Sequence, residues 1–256
     1  MPGYTTMNEN TTGMAGMTGT NGMNAAAMNG AAASADTSAV QPVLTGADRE
    51  RNSDGQEILL RVNNLNVHFH TYDQVVHAVR GVSFWVARGE TLALVGESGS
   101  GKSVTAMSIM RLLDEKITRY GEGSSIDFEG TSVLDADEKT LRNLRGGRIS
   151  FIFQEPMTSL NPFMKIGTQL MEALRVHNKT ITRKAARERI LDLLNRVGIR
   201  EAERRLKQYP HEFSGGQLQR IMIAMALLNE PALLIADEPT TALDVVARAE
   251  ILGLLS

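Results

Sequence analysis

One short stretch limits what this chain can fold into more than any other: Gly96-Glu97-Ser98-Gly99-Ser100-Gly101-Lys102-Ser103. Its spacing is Gly, four residues, then Gly-Lys-Ser. An apolar run, Thr91-Leu92-Ala93-Leu94-Val95, precedes it, and a helical pattern from Val104 to Leu113 follows. Strand, glycine-rich loop and helix in that order make a phosphate cradle. Glycines let the backbone curl until successive N–H groups point inward. The start of the helix adds its partial positive charge. Lys102 can reach β and γ phosphates, and the Ser103 hydroxyl can ligate Mg²⁺. The alternative, a glycine-rich turn with a chance lysine, does not account for the flanking strand and helix. The apolar run is expected to be buried on both faces, as a parallel strand is.

Composition then narrows the field. With 42% hydrophobic and 22% charged residues, the 256-residue chain can bury a sizeable core. A net charge of −2 gives no bulk attraction to nucleic acid. There is no cysteine, which removes a disulfide framework and a thiolate metal site; a cytosolic protein is the simple reading. No apolar run approaches the ~18 residues of a membrane span. The longest candidate, Ile221 to Leu228, reads as a buried helix.

Residues 1–56 differ from the rest. They are rich in Met, Asn, Gly, Thr and Ala, and up to Gly46 the only charged side chains are Glu9 and Asp36. Such a segment cannot bury enough apolar surface to offset its ordering entropy, so it reads as a disordered low-complexity tail. A second reading, an upstream extension foreign to the natural domain, stands beside the first. Order is expected from residue 57 onward. Ile58–Val62 and Val67–Phe69 read as extended, as does the β-former-rich run Val75–Val86. A short strand at Ser125–Phe128, a helix at Asp137–Leu144 and a strand at Arg148–Phe153 follow. From Ile166 to Leu206 the period is helical, with Thr182 as an N-cap and Gly198 as a terminator. The basic residues between Arg183 and Lys207 are interleaved with acids and read as a solvated helix face. His68 and His70 share one side of a strand, but no third ligand can be placed for a metal.

Chemistry gathers where predicted strands end. Asp237 and Glu238 close the apolar run Ala232–Ala236, where ligands bind in open parallel sheets. An Asp there can hold Mg²⁺ opposite Ser103, and the adjacent Glu can polarise an attacking water as general base. Gln154 also ends a strand and can orient water or touch the metal; a surface loop amide is the alternative. Ser214-Gly215-Gly216-Gln217 opens a second helix and is itself an anion-binding geometry. Each glycine loop opens its own helix, so one chain carries two half-sites for phosphate. That suggests a nucleotide sandwiched between two subunits.

These pieces occur in the order found in the ATP-binding cassette (ABC) ATPases. Gly96–Ser103, Gln154, Phe213–Gln217, Leu233–Glu238 and Thr241-Ala242-Leu243-Asp244 resemble that family's Walker A, Q-loop, signature, Walker B and D-loop motifs. The resemblance covers about residues 58–256. Gly-Glu-Ser-Gly-Ser-Gly-Lys-Ser, Phe153–Pro162 and Ala236–Asp244 look like the dipeptide/oligopeptide/nickel importer ATPases, to which the glutathione importer ATPase is similar. The resemblance implies an α/β P-loop NTPase. Its RecA-like parallel core sheet would carry an antiparallel β subdomain and an inserted α-helical subdomain at about 155–230, within an ATPase domain at 57–256. It implies ATP and Mg²⁺ as ligands. Gly96, Ser98, Gly99, Ser100, Gly101, Lys102, Ser103 and Val104 would hold the phosphates, and Ser103, Gln154 and Asp237 the metal. Glu238 and Gln154 would be catalytic. Phe69 would stack on adenine, with Tyr72 as second choice. Ser214, Gly215, Gly216 and Gln217 would meet the partner's nucleotide, and Asp244 would cross the dimer interface.

The implied partners are a second ABC ATPase subunit, identical or related, two integral-membrane permease subunits and, indirectly, a periplasmic solute-binding protein, with no nucleic acid. The implied location is the cytoplasmic face of the bacterial inner membrane. Two departures stand out. Phe213 replaces the family's usual leucine. The family's switch histidine lies on a strand beyond the D-loop helix, between the Walker A and Walker B strands, and the sequence stops at Ser256 before it. The expectation is therefore a C-terminally truncated cassette with weak hydrolysis or poor folding. The rival readings are a soluble non-transport ABC ATPase and a nucleotide-binding fragment.

Overall fold

The computed structural model describes residues 5–6, 51, 55–154 and 159–238. Most of the 1–56 tail, Thr241–Asp244 and the segment after it lie outside the described residues.

The longest strands are β2 (Ile58–His70) and β3 (Val75–Ala87), paired antiparallel from Ile58↔Ala87 to His70↔Val75. Leu60, Val62, Leu65 and Val67 of β2 are buried. The two expected extended segments are thus one strand, kinked by bulges between Val62 and Val67. Asn64 sits there at φ 44. The groups this kink unpairs are satisfied locally: Ser83 Oγ accepts from the Asn64 amide at 2.8 Å, and Asn66 Oδ1 accepts from the Gly81 amide at 2.9 Å. Bulges of this kind bend a strand without leaving orphaned polar groups. Strands β5 (Thr118–Tyr120), β6 (Ser125–Phe128) and β7 (Thr131–Ser132) complete a five-stranded antiparallel sheet of order β3-β2-β6-β7, with β5 also on β2.

Two parallel pairs lie outside that sheet. Strand β4 (Leu92–Ala93) pairs with β1 (Thr5–Thr6), and β8 (Ile149–Ile152) pairs with β9 (Leu233–Ala236). The burial expected of the run before the phosphate loop is corrected by the structure, and β9 is likewise only half-buried. The strand before the phosphate loop keeps ladder pairing over Leu92–Ala93 only, both half-buried, and Val95 is 62% exposed. The residues of β9 are half-buried and Ala236 is exposed. Among the described residues β4 pairs only with β1 and β9 only with β8, although β8, also with a single neighbouring strand, is largely buried.

The β8–β9 pair divides two apolar clusters. Ile149, Phe151, Leu233 and Ile235 join the cluster built on β2, β3 and β6, while Ile152 and Leu234 join a helical cluster. Apolar residues on both faces are what makes such strands read as continuous hydrophobic runs. Helix α1 (Lys102–Ile109) packs with the β cluster, and α2 (Glu138–Leu144) follows, its first turn capped by the Asp137 carboxylate accepting from the Thr140 amide at 2.7 Å.

The helical cluster is made by α3 (Ile166–His177), α4 (Arg183–Arg196), α5 (Ala202–Arg205) and α6 (Gly215–Leu227). Ile166, Leu170 and Leu174 bury one face of α3; Ala186, Ile190, Leu193 and Leu194 bury one face of α4. This i, i+3, i+4 spacing is the apolar stripe a core-facing helix requires. Thr182 caps α4 as expected, its hydroxyl accepting from the Ala185 amide at 3.2 Å. Met222 packs inside this cluster, and Phe213 lies half-buried against it with the Arg205 guanidinium 5.5 Å from its ring.

Candidate functional site

The phosphate loop is exposed from Gly96 to Ser100 and runs straight into α1. The helix begins two residues earlier than its periodicity predicts and ends at Ile109, where Met110 caps it and Arg111 turns left-handed at φ 49. Its N-cap, Gly101, has φ 90 and supplies no side-chain cap. A Cβ there would lie 2.5 Å from the Ala78 carbonyl oxygen, so both conformation and space call for glycine. Among the described residues the amides of Gly99, Gly101, Lys102 and Ser103 have no acceptor; the first amide of this turn that does is Thr105, bonded to Gly101. Lys102 folds back, its Nζ donating to the carbonyls of Gly96 at 2.8 Å and Glu97 at 2.7 Å. The result is an exposed loop with free amide donors and a lysine held over it. Open space surrounds Gly99, with nothing within 4 Å of an added Cβ. That arrangement fits a phosphate.

The second group of predicted residues meets at the carboxyl ends of β8 and β9. The register Ile152↔Ala236 and the Asp237 amide donating to the Ile152 carbonyl at 3.0 Å bring the two strand ends level. Gln154 Nε2 then donates to Glu238 Oε2 at 2.9 Å. These two side chains are 84 residues apart in sequence, and no spacing rule predicted their contact. Glu238 is exposed and sits at φ 47, a left-handed conformation that a carboxylate side chain adopts at a cost of about 1 kcal/mol or more. Asp237 beside it is half-buried. A hydroxyl at Ser103 and a carboxylate at Asp237 are hard oxygen donors of the kind Mg²⁺ takes alongside phosphate oxygens. Among the described residues no cluster of three His, Asp or Glu side chains forms an all-protein metal cage. His68 instead packs on His77 across the β2–β3 pair, ring centroids 4.2 Å apart.

The Ser214–Gln217 loop is built differently. Ser214 Oγ accepts from the Gln217 amide at 3.3 Å, and Gln217 Oε1 accepts from the Ser214 amide at 3.1 Å. This reciprocal capping box satisfies the Ser214 and Gln217 amides at the start of α6. Just upstream, the Glu212 carboxyl is held below its usual range, first by the Tyr209 amide that donates to it at 2.7 Å. Phe69 lies half-buried at the end of β2, packed against the β cluster, whereas Tyr72 is fully exposed at the hairpin tip. Asp244 falls outside the described residues.

An uncapped phosphate loop opening a helix, together with parallel strands that end in Gln and Asp-Glu, defines an α/β phosphate-loop protein. The chain belongs to the ABC transporter family, whose model matches residues 79–241. It is 56% identical over 199 residues to the uncharacterized ABC transporter ATP-binding protein YejF of Escherichia coli K12, covering 78% of this chain and 37% of that protein. It is 53% identical over 197 residues to the oligopeptide transport ATP-binding protein OppD of Bacillus subtilis 168, covering 77% and 54%. The dipeptide transport ATP-binding protein DppD of the same organism is 54% identical over 198 residues, covering 77% and 58%. The chain thus spans about a third to three-fifths of the length of the curated relatives it matches. Among solved structures, the dimeric post-hydrolysis state of the ATP-binding cassette MJ0796 bound to ADP and Pi superposes with a TM-score of 0.69 at 28% identity, covering 77% of this chain and 81% of that one.

Proposed function

We propose that this chain carries the ATP-hydrolysing cassette of a bacterial peptide importer, working as a closed dimer of cassettes against two membrane permease subunits. The observation that carries the proposal is the Gln154–Glu238 contact at the ends of adjacent parallel strands, in a chain that also holds an uncapped phosphate loop. In this reading the amides from Gly99 to Ser103 and the Lys102 ammonium bind the β and γ phosphates. Ser103 and Asp237 would hold Mg²⁺, which supplies charge neutralisation on the phosphate oxygens. Glu238 accepts a proton from the attacking water, and Gln154 keeps that carboxylate oriented until a γ phosphate draws its amide away. The ring at Phe69 or Tyr72 stacks on adenine. Ser214 and Gly216 close over the nucleotide of the partner cassette, and Asp244 lies at that interface. The resemblance to peptide-transport ATP-binding proteins supports a di- or oligopeptide as the solute.

No described helix is long and apolar enough to cross a membrane. In this reading the membrane subunits are other chains. Their docking site is an open groove of about 760 Å³ between α3 and α4. Met171, Ile190 and Leu206 give it apolar lining, and Lys165, Arg175, Lys179, Arg183, Arg187 and Lys207 line it with positive charge. Arg187 is bridged to Glu203. The expected basic helix face is therefore one wall of a cavity as well as a solvated surface. Phe163, 89% exposed, stands two residues before Lys165. An apolar floor with a charged rim is the anatomy of a protein interface.

The test is ATP turnover by the purified protein. Glu238→Gln should lower the rate by about 10²–10⁴-fold, the usual worth of a general base, while ATP still binds. Unchanged turnover in that variant would remove Glu238 from the reaction and the proposal with it.

A further inference from the structure

The helix that follows the phosphate loop packs in the β cluster, apart from the helical cluster. A line of polar contacts nevertheless joins them, and it begins at the far end of α1. That helix has no basic residue in its last turn. Arg145, far along the chain, supplies the missing positive charge just past the C-cap: its Nε donates to the Met110 carbonyl at 2.9 Å and its Nη2 to the Arg111 carbonyl at 2.6 Å. A guanidinium on the last carbonyls of a helix satisfies orphan acceptors and suits the helix dipole.

The next residue continues the line. The Gly146 carbonyl accepts from Asn229 Nδ2 at 2.9 Å, and the same amide nitrogen donates to the Ala173 carbonyl of α3 at 3.1 Å. Asn229 itself directly follows Leu228, the C-cap of α6, the helix that Ser214 opens. The His177 ring, at the end of α3, presses on the same turn. A Cβ at Gly146 would lie 3.0 Å from His177 Nε2, and one at Gly147 would lie 3.0 Å from Nδ1. The turn also carries the Arg148 carbonyl, which accepts from the Ala232 amide at 2.8 Å at the approach to β9. One turn, 145–148, is thereby fastened to the C-terminal end of the phosphate-loop helix, to α3, to the end of α6 and to the approach to the Asp237–Glu238 strand.

We propose that the Arg145–Gly146–Asn229 junction is a mechanical link that carries the nucleotide state of the phosphate loop to α3, with Asn229 as its positioning residue. The inference rests on the reading that the loop binds ATP. A two-turn helix is stiff, about 12 Å long, and moves as a unit when a phosphate draws on its N-terminus. The movement reaches the carbonyls that Arg145 holds, and from there Asn229 passes it to α3. Asn229 touches no residue proposed to bind phosphate, so its removal should leave ATP affinity intact.

The experiment is amide hydrogen exchange on the purified protein with and without Mg·ATP, in a Glu238→Gln background that holds the nucleotide. In the parent, ATP should change exchange in the α3 segment, residues 166–177. Asn229→Ala should bind ATP with a Kd within about threefold of the parent, yet lose at least half of the α3 response. Arg145→Lys keeps the charge but loses the paired donors, and carries the same expectation. A merely structural role would raise exchange in α3 equally with and without nucleotide. ATP binding with an undiminished α3 response in both variants would overturn the link alone. Absence of ATP binding by the parent would overturn the nucleotide reading and the link together.

Discussion

Two glycine loops in this molecule open helices, and they stand in different states. At α1 the N-cap is Gly101, without a side chain, and the first amides have no acceptor among the described residues. At α6 the N-cap is Ser214, and a reciprocal pair of hydrogen bonds satisfies the Ser214 and Gln217 amides from within. The first loop is open to an anion as it stands. The second also has amides without an acceptor among the described residues, those of Gly215 and Gly216, but its Ser214 hydroxyl and Gln217 amide are committed to a cap worth about 1 kcal/mol. Two loops of similar composition therefore need not be equivalent sites. The first is suited to hold a phosphate alone, and the second to respond once another surface presents one.

Changing a glycine to alanine at each helix start should separate the two sharply. In Gly101→Ala the new Cβ meets the Ala78 backbone oxygen at 2.5 Å with φ at 90. A thermal or urea melt should show a loss of about 2–4 kcal/mol, with ATP binding abolished. Nothing lies within 4 Å of a Cβ at Gly215, the first residue of α6, so Gly215→Ala should leave the melt within about 1 kcal/mol of the parent. Equal effects of the two substitutions would erase the distinction between the loops.

A smaller effect belongs to the cap itself. Ser214→Ala removes the hydroxyl that accepts from Gln217 and should cost about 1 kcal/mol in a denaturant melt. ATP turnover should fall far more than that stability loss would suggest, because the same hydroxyl is proposed to face the partner's phosphate.

The smallest effect should leave both loops alike. Burial pushes the Glu129 carboxyl up, but hydrogen bonds from Arg148 and Arg88 outweigh it and hold the group below its ordinary value of 4.5. A carboxyl depressed in the fold lends stability above that ordinary value and loses it as pH falls through the folded one. The guanidinium partners are 49% and 43% exposed, so solvent screening limits the gain. Glu129→Gln should cost about 0.5 kcal/mol at pH 7, and the gap to the parent should close as acid is added. A gap that does not narrow at all as pH falls below 4.5 toward acid unfolding would assign the effect to packing instead.

What the sequence made legible was local chemistry. The cap at Thr182 and the glycine loop before α1 rest on neighbours within a few residues, and they stand where spacing put them; the short strand Ser125–Phe128 also stands where expected, although it pairs with the distant Leu60–Asn63. Strand β5 was missed because Thr118–Tyr120 is too short to show alternation and is held by pairing with the distant Val67–Phe69. Burial of the strand at Leu92 was overestimated because apolar content reports what a strand could cover, not what flanks it. Within the site, the residue types at Gln154 and Glu238 were readable, but their contact depends on the parallel register of β8 and β9. Arg145 and Asn229 carried no sequence signal at all: an arginine bonded to a carbonyl 34 residues back looks like any surface arginine.

The open-loop and capped-loop distinction is tested most directly by ATP affinity and ATP-driven dimerisation measured together. The purified protein would carry Glu238→Gln, with Lys102→Ala or Ser214→Ala added separately. Lys102→Ala should weaken ATP binding more than about tenfold, a loss above about 1.4 kcal/mol. Ser214→Ala should bind ATP within about threefold of the parent but fail to dimerise with it. If Ser214→Ala instead weakened binding to the monomer as much as Lys102→Ala, the two loops would serve one phosphate in one chain, and the division of labour between them would be contradicted.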